Sequence, residues 1–261
     1  ANREEAPEDL KIQIKTIVEM TQACGFPNLA VPGFEADDLI GFLCRRFSDE
    51  NHEVYILSSD KDLSQLVNEK VRMAAPEKGI QELMFLDREK VFEKFGVYPE
   101  QIVDYLALTG DASDNIPGVK GIGPKTAEKL LSQWNSLEGI YENLERVSPA
   151  GVQEKLRQCK EEAFLSQKLA SLKDQAPELN FSPGEGIWTE TMIQKLSEEF
   201  KKLEFSGFFN DPYFQSLLKP KESSLFSPEE TSLTAPQSLT AFSEDQVSYR
   251  LVLDLSEVKT L

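Results

Sequence analysis

The sequence predicts an α/β domain built around a partial parallel sheet, followed by a helical subdomain. Two observations carry this reading. Residues 1–115 alternate helix-period and strand-like runs, the rhythm of parallel strands with covering helices. From residue 116 the strand-like runs stop, and amphipathic helices succeed one another to residue 205. Apolar residues make up 40% of the 261-residue chain and aromatic ones 9%, enough for a packed core and too much for a disordered polymer.

In the first part, PEDLKIQIKTIVEMTQACG places Leu10, Ile14, Ile17 and Val18 at helical spacing, with Pro7 at its start and Gly25 at its end. FPNLAVPG is a short apolar run before a turn. EADDLIGFLCRRFSDE predicts a second helix, with Leu39, Ile40, Phe42, Leu43 and Phe47 on a broad apolar face. EVYILSSD, β-branched and aromatic, predicts a buried strand, and DKDLSQLV a helix behind it. In the second part, NIPGVKGIGPKTAEKLLSQW runs through Gly118, Gly121 and Gly123 into a helix carrying Ala127, Leu130, Leu131 and Trp134. SLEGIYENL, SPAGVQEKLRQCKEEAFLSQKLASL and TETMIQKLSEEFKKLEF complete the helical region. Residues 206–246 are rich in Ser, Thr and Pro and read as a linker, with a docked stretch at 212–218. Residues 247–261 resume order, with a strand over 249–253 and a helix start capped by Asp254 or Ser256. They read as the opening of a further domain.

Composition narrows the chemistry. No run reaches the ~18 apolar residues of a membrane helix, and ANREEAPEDL is not a basic-then-apolar leader. Without an initiating Met, it reads as the middle of a longer protein. Cys24, Cys44 and Cys159 form no CxxC pair, which argues against a thiolate zinc site and suits reduced thiols in a cytosol. His52 is the single histidine, so chemistry that needs several is excluded, and a surface place is expected for it. Carboxylates and lysines are left to do any catalysis. The net charge of −17 means that any nucleic-acid contact must be local.

Three acidic groups lie at the ends of apolar elements: Glu35, Asp37 and Asp38; Asp60 and Asp62; Asp111 and Asp114. Acidic residues in a first helical turn also suit the helix dipole without any metal, and that reading stays open for each group alone. Taken together, crowded carboxylates repel unless cations neutralise them. All-oxygen ligands suit Mg²⁺ or Mn²⁺, and a two-metal centre suits phosphodiester hydrolysis. Lys61, between two candidate ligands, either balances charge or is solvated.

The run from Ile116 to Leu131, IPGVKGIGPKTAEKLL, resembles a helix-hairpin-helix DNA-binding motif. Gly121 and Gly123 allow a tight turn, Pro124 suits a first helical position, and the helix start cradles phosphate. Lys120, Lys125 and Lys129 add charge there.

EADD, SSDKDLSQLV, DYLALTGDASDNIPGVKGIGPKTA and the opening ANR…PEDL together resemble the 5′-nuclease domains of bacterial DNA polymerases I, from residue 1 to about 205. The tail VSYRLVLDLSEVKTL resembles the start of the 3′–5′ exonuclease-like domain that follows in those proteins. The resemblance implies a PIN-like nuclease core over 1–115 and a helix-hairpin-helix subdomain over 116–205. It implies a Mg²⁺-dependent 5′–3′ exonuclease or 5′-flap endonuclease, with Mn²⁺ as a substitute, acting in DNA replication and repair. The partners would be DNA with 5′ ends, 5′ flaps, nicks or gaps. The place would be the bacterial cytosol, associated with the nucleoid, and the chain a monomer.

Carried over by position, Glu35, Asp37, Asp60, Asp62 and Asp114 match direct metal ligands, and Asp38 and Asp111 match acidic neighbours. Gly121, Gly123, Lys125 and Thr126 fall on the hairpin that grips duplex phosphates, with Lys120 beside them and a K⁺ compatible with the same place. Arg3 matches an arginine of the helical arch. Two aspartates of the family pattern, and its central strand, would precede Ala1. The expectation is therefore an active parent and a weak or inactive chain as given. The rival reading is a non-catalytic helix-hairpin-helix DNA-binding module with inert acids.

Overall fold

The computed structural model describes residues 6–49, 51–76, 83–173, 178–209 and 211–218. The predicted tail domain (247–261), most of the predicted linker and Arg3 lie outside them. In chain order the helices and strands are α1 (Glu8–Cys24), α2 (Ala36–Phe47), β1 (Val54–Leu57), β2 (Val71–Pro76) and β3 (Leu83–Leu86). They continue with α3 (Arg88–Phe95), α4 (Ile102–Thr109), α5 (Pro124–Trp134), α6 (Leu137–Glu142), α7 (Ala150–Gln158) and α8 (Lys160–Ala170). The last are α9 (Glu190–Lys202), α10 (Ser206–Phe209) and α11 (Pro212–Leu218). The described residues fall into two compact units, one within 29–179 and the other made of 6–28 and 180–218.

The first unit is α/β. β1 and β2 pair in parallel, Val54 opposite Val71 and Leu57 opposite Ala74. β3 pairs antiparallel to β2, Met73 opposite Leu86, so the sheet is mixed and ordered β1-β2-β3. An antiparallel strand at the edge of a parallel sheet is a common arrangement. Ile56, Met73 and Leu86 point into the core, while Tyr55, Leu57 and Phe85 are exposed on the alternate positions. The core continues without a break into the helices, where Leu108, Leu131, Leu137, Ile140 and Leu156 are fully buried.

Local chemistry sets the ends. The Asp87 carboxylate accepts from Lys90 N and caps α3, which Gly96 closes at φ +70. Ser136 caps α6 by accepting from Gly139 N. The predicted helix after β1 is a 3₁₀ turn, Lys61–Leu66, capped by Asp60, whose carboxylate accepts from Asp62 N. The long predicted helix from Pro149 breaks at Cys159 into α7 and α8. A buried carboxylate ties the helices together: Asp104 on α4 accepts from Leu137 N at 3.0 Å and from Gln167 Nε2 at 2.8 Å.

The second unit is helical. α1 starts after Pro7 and ends at Gly25, φ +86. Its helical spacing is as read, yet Leu10, Ile14, Ile17 and Val18 are exposed, and Cys24 is its buried residue. Cys24 packs with Leu196 and Phe200 of α9 and with Phe214 of α11. Residues 212–218, the docked stretch of the predicted linker, are thus a helix with Phe214 in this core. No helix among the described residues is long and apolar enough to cross a membrane.

Candidate metal centre and nucleic-acid interface

Asp62 comes from the 3₁₀ turn after β1, and Asp111 and Asp114 from the turn after α4. Each offers a carboxylate oxygen, and these oxygens lie within 4.8 Å of one another. The turn is tight because Asp111 and Ile116 exchange both backbone hydrogen bonds, at 2.9 and 2.8 Å. Asp111 is buried and paired with Lys61 at 2.6 Å. Burial alone would raise its carboxyl, but the Lys61 ammonium and the Ser113 N–H outweigh that and hold it below the usual range. Of the two readings of Lys61, charge balance is the one the geometry favours.

Asp62 has no such relief. Burial, then Asp60 and Asp111, push its carboxyl up to about 6, and the nearby Lys61 only partly opposes them. Its Oδ1 is buried and has no hydrogen-bond partner. A carboxylate that is grouped with two others and has a buried oxygen without a hydrogen-bond partner fits a hard cation bound by oxygen. Asp37, in the first turn of α2, is raised by burial first and then by Asp60, Glu35 and Asp114, so its carboxylate shares the field of this centre. Asp60 and Glu35 stand exposed beside it.

Asp38 is turned elsewhere. It is buried, and its Oδ2 accepts from Lys173 Nζ at 2.8 Å and from Glu35 N at 3.1 Å. Its Oδ1 accepts from Lys173 N at 2.9 Å. Lys173, 135 positions further along, left no mark in the sequence by which it could be found.

The glycine-rich hairpin forms as read. Val119 and Ile122 are buried anchors, and Gly121 turns between them at φ +81. Gly118, φ +64, lies so close to Gly110 that a Cβ would fall 2.3 Å from Gly110 N. α5 then opens with Gly123 as cap and Pro124 as first residue. Its first turn holds Lys125 and no acid, against the usual preference at a helix N-terminus, an arrangement suited to an incoming anion. Lys120, Lys125 and Lys129 are exposed and Thr126 half-buried. A further lysine joins from α7: Lys155 Nζ donates to Gly121 O at 2.9 Å. His52 is on the surface, bonded to Asp49.

Comparison with known proteins gives the family and the fold. The family model of the 5′-3′ exonuclease N-terminal resolvase-like domain matches residues 1–96, and that of the 5′-3′ exonuclease C-terminal SAM fold matches residues 97–194. The chain is 39% identical over 209 residues to a 5′-3′ exonuclease of Aquifex aeolicus, covering 80% of this chain and 69% of that protein. It is 41% identical over 212 residues to the thermostable DNA polymerase I of Thermus thermophilus and 42% over 218 residues to DNA polymerase I of Bacillus subtilis. These matches cover 81% and 83% of this chain, which spans about a quarter of each polymerase, 24% in both cases. Among solved structures, a bacteriophage T5 protein co-crystallised with metal ions superposes with a TM-score of 0.54 at 19% identity, covering 84% of this chain and 74% of that one. A bacteriophage T5 flap endonuclease in complex with DNA and metal ions gives 0.52 at 20% identity, covering 78% and 73%. At these identities the likeness is one of fold: a resolvase-like α/β domain followed by a helical one.

Proposed function

The chain belongs to the 5′-3′ exonuclease family, and on that premise we propose that it is the metal-dependent 5′-nuclease region of a bacterial DNA polymerase I. Its reaction would be hydrolysis of DNA phosphodiesters at 5′ ends or 5′ flaps during replication and repair. The observation that carries this is the meeting of the Asp62, Asp111 and Asp114 carboxylates, of which Asp62 also has a buried oxygen without a hydrogen-bond partner. Glu35, Asp37, Asp60, Asp62 and Asp114 would hold Mg²⁺, or Mn²⁺ in its place, with Asp111 held beside them by Lys61. Bound divalent ions supply a nucleophilic hydroxide and stabilise the leaving oxygen.

The chain's own residues do the rest. Lys61 keeps Asp111 ionised, and the Asp111–Ile116 bridge fixes the turn that presents Asp114. The hairpin, through Lys120, Gly121, Gly123, Lys125 and Thr126, would grip duplex phosphates without reading sequence. Arg3 would touch the strand being cut, and a K⁺ is compatible with the hairpin. The division into core (1–115), hairpin subdomain (116–205), linker (206–246) and a further exonuclease-like domain (247–261) belongs to the same proposal. So do a cytoplasmic, monomeric setting and nicked or gapped duplex as substrate.

The rival, a non-catalytic hairpin module, gives no reason to keep one Asp62 carboxylate oxygen buried without a hydrogen-bond partner. The test is cleavage of a 5′-labelled flap in Mg²⁺ by the full-length protein and its Asp60→Asn variant, with EDTA as control. The variant is expected to bind the flap and lose cleavage. Equal cleavage by the two would remove the metal assignment, and binding without any cleavage by the parent would favour the rival.

A further inference from the structure

Asp38 and Asp37 are adjacent, so they point about 100° apart around α2. Asp37 shares the field of Asp60 and Asp114. Asp38 faces the segment that follows α8, and three donors converge on its carboxylate: Lys173 Nζ, Lys173 N and Glu35 N. These use three of the roughly four acceptor positions a carboxylate has. The Lys173 ammonium also donates to Gly33 O at 2.9 Å and sits 5.3 Å from the Phe34 ring. Lys173 O in turn accepts from Arg45 Nη2 at 2.8 Å, further along α2. One residue thus grips the loop entering α2, the first turn of that helix and, on the same face, its last turn.

We infer that Lys173 is a positioning residue of the metal centre: by holding Asp38, it sets the first turn of α2 so that Asp37 and Glu35 face the other carboxylates, while Asp38 itself is no metal ligand. The inference rests on the metal-centre reading above and assigns within it a role that the acidic pattern alone does not contain. Partners of this outer kind are commonly worth 10–100-fold in metal affinity.

The test is a double-mutant cycle read by Mn²⁺ binding, by calorimetry or by loss of the free-ion electron paramagnetic resonance signal, on the same full-length protein as the cleavage test. Lys173→Met is expected to weaken Mn²⁺ binding about tenfold, and Asp38→Asn by a similar factor. The double variant should be no weaker than the worse single one, because both break one device. Lys173→Arg, which keeps the charge and the donors, should stay within about threefold of the parent. Circular dichroism checks that each variant is folded, and Lys173→Gln replaces Lys173→Met in the cycle if the latter is not. Unchanged affinity in the Lys173 variant would overturn the inference. So would an Asp38→Asn effect that persists in full in the Lys173→Met background, since that marks Asp38 as a ligand. Failure of the parent to bind Mn²⁺ would overturn the metal-centre reading itself, and is seen before any variant is compared.

Discussion

Replacing Asp62 by Asn should stabilise this protein when no metal is bound, although it removes a proposed ligand. The folded state holds the Asp62 carboxyl at about 6 against an ordinary 3.8. A rise of a little over two pH units, at about 1.36 kcal/mol each, sets a ceiling of about 3 kcal/mol on the penalty at neutral pH. Asp62 is only half-buried, and solvent screening brings a realistic figure to about 1–2 kcal/mol. The sign follows from proton binding. Below about pH 3 the carboxyl is protonated in both states and costs nothing. Between about 4 and 6 the folded state holds more protons than the unfolded one, so stability falls as pH rises. Above about 6 the whole penalty is present. Asp62→Asn removes it, keeping the shape and supplying an amide.

In urea melts with EDTA, the variant should exceed the parent by about 1–2 kcal/mol at pH 7.5, and the difference should shrink to a few tenths of that near pH 4 and vanish by about pH 3. Divalent metal at a hundredfold Kd should reverse the order, because ligand binding adds stability as RT ln(1 + [L]/Kd), about 2.7 kcal/mol there, and the Asn variant would forgo it. A variant less stable than the parent at pH 7.5 in EDTA would refute the reasoning. An advantage of equal size at pH 4 would place its cause outside the ionisation.

Gly118→Ala should cost about 3 kcal/mol or more, from the left-handed backbone and from a Cβ placed 2.3 Å from Gly110 N, and should show as a lowered urea midpoint. Leu131→Ala, at a fully buried site between α4 and α5, should cost about 2–5 kcal/mol by the same assay. Lys125→Ala should weaken duplex binding and make the slope of log affinity against log salt shallower by about one. An affinity unchanged across the salt series would remove the hairpin from the interface.

What could be read from the sequence was whatever local chemistry decides. The hairpin was legible because Gly118, Gly121 and Pro124 each answer a backbone demand within a few residues. β1 was legible from its side chains. β2 and β3 were not picked out: β2 runs through Ala74 and Ala75 into Pro76, which carry little strand preference, and β3 lies against β2, so their pairing is decided by the strands beside them. In α1, periodicity gave the helix correctly and left open which side is covered: Ile14 and Ile17 are exposed. The acidic groups were found as types at spacings, but their jobs differ by environment. Asp60 caps a turn, Asp111 pairs with Lys61, and Asp38 binds Lys173. Such pairings across 50 or 135 positions leave no periodic trace.

The strap between the carboxylates and the hairpin has a metrical consequence. Asp111 and Ile116 are locked to each other, Gly118 N is bonded to the buried Ser166 hydroxyl, and Val119 N to Leu108 O. From Asp114 to Gly121 the path is therefore short and has little slack. Under the proposed function such a path would be a ruler: the hairpin would take hold of the duplex at one end, and the other end would determine how many nucleotides away the backbone is cut. Residues inserted in the strap would lengthen the ruler, and the signature to expect is a cut displaced along the strand.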